Sequence, residues 1–153
     1  MQCEYINIYQ KAREATDLTQ EAVAELLDIS VESLRAYETG VRVPKNKTVE
    51  KMALAYGSEW LLIQHLLSDD IAGKCLPKPM IDFTLSQATL WLLKELETSR
   101  TLTPRLVEIT YSNALSHDQQ AEFETLMSRL FDLAGAVLTL RFCDKQPTII
   151  DTA

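Results

Sequence analysis

Between residues 30 and 51 the chain sets a few polar and methyl-bearing side chains beside a run of bases. In Ile29 to Gly40, ISVESLRAYETG, a helical turn of about 100° per residue puts Leu34 and Tyr37 on one side. Glu32 and Ala36 then point most nearly the opposite way, with Ser33 and Arg35 flanking and Val31 at the amino-terminal tip beside Ser30. These outward residue types suit recognition of nucleic-acid base edges. A carboxylate such as Glu32 accepts from a cytosine amino group, Arg35 bonds guanine or a phosphate, and Val31 or Ala36 meets a thymine methyl. The run of bases has a different chemistry. From residue 35 to 51, Arg35, Arg42, Lys45, Lys47 and Lys51 stand against Glu38 and Glu50, a local balance of +3 in a chain of formal net charge −7. Arg42, Lys45, Asn46 and Lys47 therefore suit contacts to a phosphate backbone, which position a protein without reading sequence. Each assignment has a plainer competitor. Glu32 also fits a solvated acid favoured by a helix amino terminus, Arg35 also fits a pair along its own helix, and the bases also fit a solvated face.

The elements that must hold these residues are two short helices across one tight corner. Thr19 precedes a run of good helix formers and reads as the N-cap of a helix over Gln20 to Leu27. Asp28-Ile29-Ser30 breaks that run, Ser30 caps a second helix over Val31 to Thr39, and Gly40 stands where a left-handed helix-ending residue is needed. Val23, Leu27, Ile29, Leu34 and Tyr37 are the inward positions, and small Ala24 lies where the two helices approach closely. This is a helix-turn-helix pattern.

At these residues the chain resembles the Cro/C1-type (XRE) helix-turn-helix family of DNA-binding regulators. The resemblance rests on Leu18-Thr19-Gln20 opening one helix, Ala24 within it, Leu34 and Tyr37 inward on the next, and Tyr37-Glu38-Thr39-Gly40 followed by Arg42 and Pro44. It covers roughly residues 5 to 67, and it implies a five-helix, lambda-repressor-like domain. It also implies that Arg13 pairs with Glu38 and that Gln20 bonds a phosphate. Two positions depart from the family pattern: Asp28 and Asp17 stand where glycine is usual. Asp tolerates positive φ better than most residues, so both turns remain open to it.

The rest of the chain is expected to be helical as well. A first helix is expected over about Tyr5 to Thr16, with Ile6 or Ile8, Tyr9 and Ala12 inward. A fourth begins at Lys47-Thr48 and ends at Tyr56-Gly57, and a fifth follows Ser58 with Trp60, Leu61, Leu62, His65 and Leu66. His65 is read as a packing residue. Asp, Gly and two prolines concentrate between Ser68 and Met80, which suggests a linker. Beyond it, Leu85 to Leu96 mark a sixth helix, and Thr103-Pro104 reads as a cap with proline at the first helical position, starting or kinking the next. Ser116 to Gln119 has the form of a capping box opening a long last helix to about Arg141. Its stripe is Phe123, Leu126, Met127, Leu130, Ala134, Val137 and Leu138, with Phe131, Leu133 and Leu140 on another side.

The fold expected is thus all-α: residues 1–67 a DNA-binding domain, 68–80 a linker, 81–145 a helical dimerisation region and 146–153 a tail. With 46% apolar residues there is material for such a small domain and an appendage. The opening MQCEYINIYQKARE lacks a basic stretch followed by an apolar core, so a secretory signal is not expected. No apolar run approaches membrane-spanning length. Cys3, Cys75 and Cys143 have no ligand-like spacing and fit a reducing cytoplasm. No cofactor, metal or enzymatic constellation is recognisable. The leading reading is a sequence-specific regulator of double-stranded DNA, a repressor acting as a homodimer through its C-terminal helices. The alternative is a protein-interaction module on the same scaffold with little DNA affinity, suggested by the acidic balance.

Overall fold

The computed structural model describes residues 7–68 and 71–143, and every regular element among them is a helix. The chain divides into two compact units between Lys74 and Cys75. Expectations that involve Cys3, Tyr5, Ile6 and the tail at 146–153 lie outside the described residues.

The first unit holds α1 (Ile8–Glu14), α2 (Gln20–Leu27), α3 (Val31–Glu38), α4 (Asn46–Tyr56) and α5 (Glu59–Ser68). A four-residue turn, α6 (Ala72–Cys75), follows inside the stretch read as a linker. Short side chains start the first three helices: Asn7, Thr19 and Ser30 accept from the backbone N–H groups of Tyr9, Ala22 and Ser33. Three residues with positive φ stop or join them. Asp17 (57°) and Asp28 (55°) take the left-handed conformation that favours glycine, and Gly40 (75°) follows α3. Helices this short gain their stability by packing. Val23, Leu27, Leu34, Val49, Met52 and Leu61 form the centre of one core, walled by Tyr9 and Ala12 of α1. His65 ties three helices at its edge: Nδ1 shares a 2.8 Å hydrogen bond with the Tyr9 hydroxyl, and Nε2 lies 3.1 Å from the Asn46 amide oxygen. Burial raises the Tyr9 pKa, so the hydroxyl keeps its proton.

The second unit is a hairpin of two helices of 26 residues each, α7 (Leu85–Thr110) and α8 (His117–Phe142). Each opens with a complete capping box, Thr84 with Gln87 and Ser116 with Gln119. The helices are antiparallel: Arg105 meets Glu122 near the connection, and Trp91 approaches Gly135 towards the other end. Arg105 donates to both Glu122 oxygens at 2.6 and 2.7 Å. Those hydrogen bonds hold the Glu122 carboxyl below its ordinary range.

The structure differs from the sequence expectations at two places here. Thr103-Pro104 does not begin a helix, because α7 runs unbroken through Pro104, and the Thr103 hydroxyl donates back to the Ser99 carbonyl instead of capping. Val137, one of the apolar set of the last helix, is exposed. The buried line of α8 runs instead through Leu126, Gly135, Ala136, Thr139 and Phe142. Small residues dominate its middle because another backbone comes close there. The Met80 N–H donates to the Thr139 hydroxyl at 2.8 Å, and the Lys78 carbonyl sits over Gly135. Residues 78–80 are thereby part of the second unit's packing, although the sequence reads them as linker.

A Cβ at Gly135 would lie 2.7 Å from the Lys78 carbonyl oxygen, closer than real Cβ atoms come. On an open helix face, alanine would gain about 1 kcal/mol over glycine. Here Gly135→Ala is expected to destabilise the second unit by roughly 1–3 kcal/mol, since backbone must move to admit the methyl. A lower denaturant midpoint for the hairpin checks this; an unchanged or raised midpoint would mean that residues 78–80 do not pack there.

Candidate nucleic-acid interface

The corner between α2 and α3 is closed by backbone. Ile29 N–H donates to the Ala24 carbonyl at 3.0 Å, with Asp28 turned left-handed between them. Val23, Ala24 and Leu27 of α2 and Leu34 of α3 are buried, so the angle of α3 is fixed by apolar packing. The side of α3 away from that core carries Glu32 and Arg35, both exposed, with Val31, Ser33 and Ala36 half-buried beside them. The Ser30 hydroxyl accepts from Ser33 N–H at 3.1 Å and pairs with the Ser33 hydroxyl at 2.9 Å. Those two serines first build the start of α3.

The loop after α3 folds back on it: Arg42 N–H donates to the Ala36 carbonyl at 2.9 Å. Arg42, Lys45, Asn46 and Lys47 are all exposed. Helix α4 starts one residue earlier than the sequence suggests, at Asn46, with Lys45 as an N-cap whose side chain makes no capping bond. Lys45, Asn46 and Lys47 thus occupy the N-cap and first two positions of α4, where backbone N–H groups lack helical acceptors. Asn46 turns its amide oxygen towards His65 of α5.

Behind the surface lies a buried charge pair. Arg13 of α1 grips Glu38 of α3 with two hydrogen bonds, Nε to Oε1 at 2.7 Å and Nη2 to Oε2 at 3.1 Å, and its Nη1 donates to the Leu18 carbonyl at 2.9 Å. Glu38 is 3% exposed. The hydrogen bond to Glu38 raises the Arg13 pKa, against the opposing effect of burial. Gln20 completes the carboxylate's shell: its Nε2 donates to Glu38 Oε2 at 2.8 Å, while its Oε1 accepts from Arg35 Nε at 3.0 Å. Gln20 and Arg35 are 15 residues apart, and the helical period of either element alone does not pair them. The sequence signal for their meeting is only that one opens α2, the other lies on α3, and a helix-turn-helix corner brings those faces together. Of the residues proposed from sequence, the structure joins Gln20 to Arg35 and Ser30 to Ser33. It joins none of Arg42, Lys45, Asn46 or Lys47 to α3 by a side-chain hydrogen bond among the described residues.

Chemically, the arrangement is a helix held by one edge with a sparse polar and methyl face outward, followed by an exposed basic turn. No group of three or more His, Cys, Asp or Glu among the described residues could hold a metal ion, and no described helix is long and apolar enough to cross a membrane. This is the geometry of a helix-turn-helix. Residues 10–62 match the helix-turn-helix family model, of the Cro/C1 type whose pattern those residues resemble. No curated protein and no solved structure matches the chain.

Proposed function

We propose that the protein is a sequence-specific DNA-binding regulator, a cytoplasmic repressor that binds double-stranded DNA as a homodimer and acts by binding, without catalysis. The observation that carries this reading is the exposed face of α3 beside an exposed basic turn, on a segment that matches a DNA-binding helix-turn-helix family. Glu32 at the amino-terminal end of α3 is offered to base edges, with Val31, Ser33 and Ala36 around it. Arg42, Lys45, Asn46 and Lys47 are offered to the phosphate backbone.

The second unit supports the dimer. Two helices make a single layer, and a single layer cannot cover both of its own faces. Leu90, Leu93, Leu96 and Val107 of α7 and Phe131 and Val137 of α8 are all exposed. Packing against a second hairpin would bury such residues in a four-helix arrangement. It would also supply two reading heads, which this class of motif uses on half-sites about 34–36 Å apart.

Selection of bound fragments from a random duplex pool tests the reading. The wild-type chain should enrich a two-fold symmetric site, with affinity falling steeply as salt rises. Lys47→Ala should weaken all duplexes alike and lower the salt slope by about one contact, whereas Glu32→Ala should change the preferred site. Light scattering at micromolar concentration should give twice the chain mass. A monomer there would remove the homodimer, and the absence of any salt-dependent DNA binding would favour a protein-interaction module on this scaffold.

A further inference from the structure

The Gln20 amide makes a bond on each side, and its orientation is forced. Glu38 is buried, and a carboxylate fixed by the Arg13 fork can only accept, so the Gln20 NH2 must face inward to Glu38 Oε2. The Oε1 atom must then face outward, where it takes the Nε–H of Arg35. A relay runs from Arg13 through Glu38 and Gln20 to an exposed guanidinium on α3, and its inner members are held by burial and bidentate geometry.

We infer that Gln20 is a positioning residue that commits Arg35 to the phosphodiester backbone and withholds it from base edges. This rests on the DNA-binding reading above. An arginine bonds guanine through a fork of two N–H groups that must project squarely into the groove. Tethering Nε to Gln20 removes the Nε/Nη fork and draws the guanidinium towards the start of α2, so that the remaining Nη1/Nη2 pair is turned from the square approach a guanine edge requires. Both Nη groups remain without a partner among the described residues, and a phosphate oxygen needs only one or two such donors. Base discrimination then rests on Val31, Glu32, Ser33 and Ala36, and Arg35 joins Arg42, Lys45 and Lys47 as a backbone contact.

The test uses the full chain, a duplex selected from a random pool and an unrelated duplex, each titrated over a salt series. Arg35→Ala should weaken both duplexes by the same factor, roughly tenfold, and lower the salt slope by about 0.9. Arg35→Lys keeps the charge but not the Nε–H, so it should restore the slope with only part of the affinity. Gln20→Met should cost affinity while Arg35 is present and shift the base preference found by reselection, because the freed guanidinium can now reach a base. In the Arg35→Ala background the same Gln20→Met change should do neither. The inference is overturned if Arg35→Ala changes the ranking of selected sites, or if the Gln20 and Arg35 effects simply multiply. Arg35 is exposed and lies outside the buried pair, so its arm decides the backbone assignment even if a Gln20 variant does not fold. Wild-type protein that shows no salt-dependent binding would instead defeat the DNA-binding reading, a distinct outcome that takes this inference with it.

Discussion

Arg13→Met is expected to destabilise the amino-terminal unit by about 3–5 kcal/mol, the cost of stranding one partner of a buried ion pair. Methionine keeps the apolar stem but supplies none of the three hydrogen bonds that the guanidinium makes to Glu38 and Leu18. The Glu38 side chain is 2% exposed and would be left with Gln20 as its only donor among those bonds. The buried Tyr56 hydroxyl, whose pKa is raised by burial and by the charge of Glu38, makes no hydrogen bond to that carboxylate. Chemical denaturation of the full chain should show the loss in the transition that belongs to the helix-turn-helix unit. Arg13→Met with Glu38→Leu should recover most of it, since an apolar pair of similar volume carries no desolvation cost. A single-variant loss below about 1 kcal/mol is the value for a solvated pair, and would mean that this one is solvated.

The second large effect has the opposite sign. Pro104 lies inside α7, where proline removes an N–H and presses its ring on the preceding turn, at a cost of about 3 kcal/mol relative to alanine. The helix nevertheless continues, and contacts beyond the proline explain why. Ile109 is fully buried, and Arg105 donates to Glu122 of α8 and pairs with Glu108 one turn further on. Pro104→Ala is therefore expected to stabilise the hairpin by up to about 3 kcal/mol, seen as a higher denaturant midpoint for the second unit. The alternative architecture, with a separate helix starting at Pro104, predicts no such gain. Proline at a first helical position is already favourable there, so a neutral or negative effect would reinstate a break at this point.

These two sites mark different limits of sequence reading. The Arg13–Glu38 pair spans 25 residues and is legible through the family resemblance, because no local spacing couples the two. The continuity of α7 is not legible. Thr103-Pro104 has the local form of a helix start, and only packing against α8 overrides it. The same holds for the buried line of α8. Hydropathy marks large side chains, but closest approach selects small ones, so Gly135, Ala136 and Thr139 carry no signal until Lys78 and Met80 are seen above them.

What the residues determine by themselves is wherever a structure is closed within four or five positions. The caps at Thr19, Ser30 and Ser116 are of this kind, as are the left-handed turns at Asp28 and Gly40 and the outward aspect of Glu32 and Arg35 against inward Leu34. Such features depend on hydrogen bonds and side-chain periods that repeat every turn, so the order of residues states them directly. The tertiary structure alone decides what one helix does to another. It turns Gln20 from a free side chain at the start of α2 into the tether of Arg35, draws Asn46 to His65, and leaves the apolar faces of α7 and α8 uncovered. Each depends on the distance and angle between elements far apart in the chain, and many packings of the same amphipathic helices would satisfy the same pattern of apolar residues.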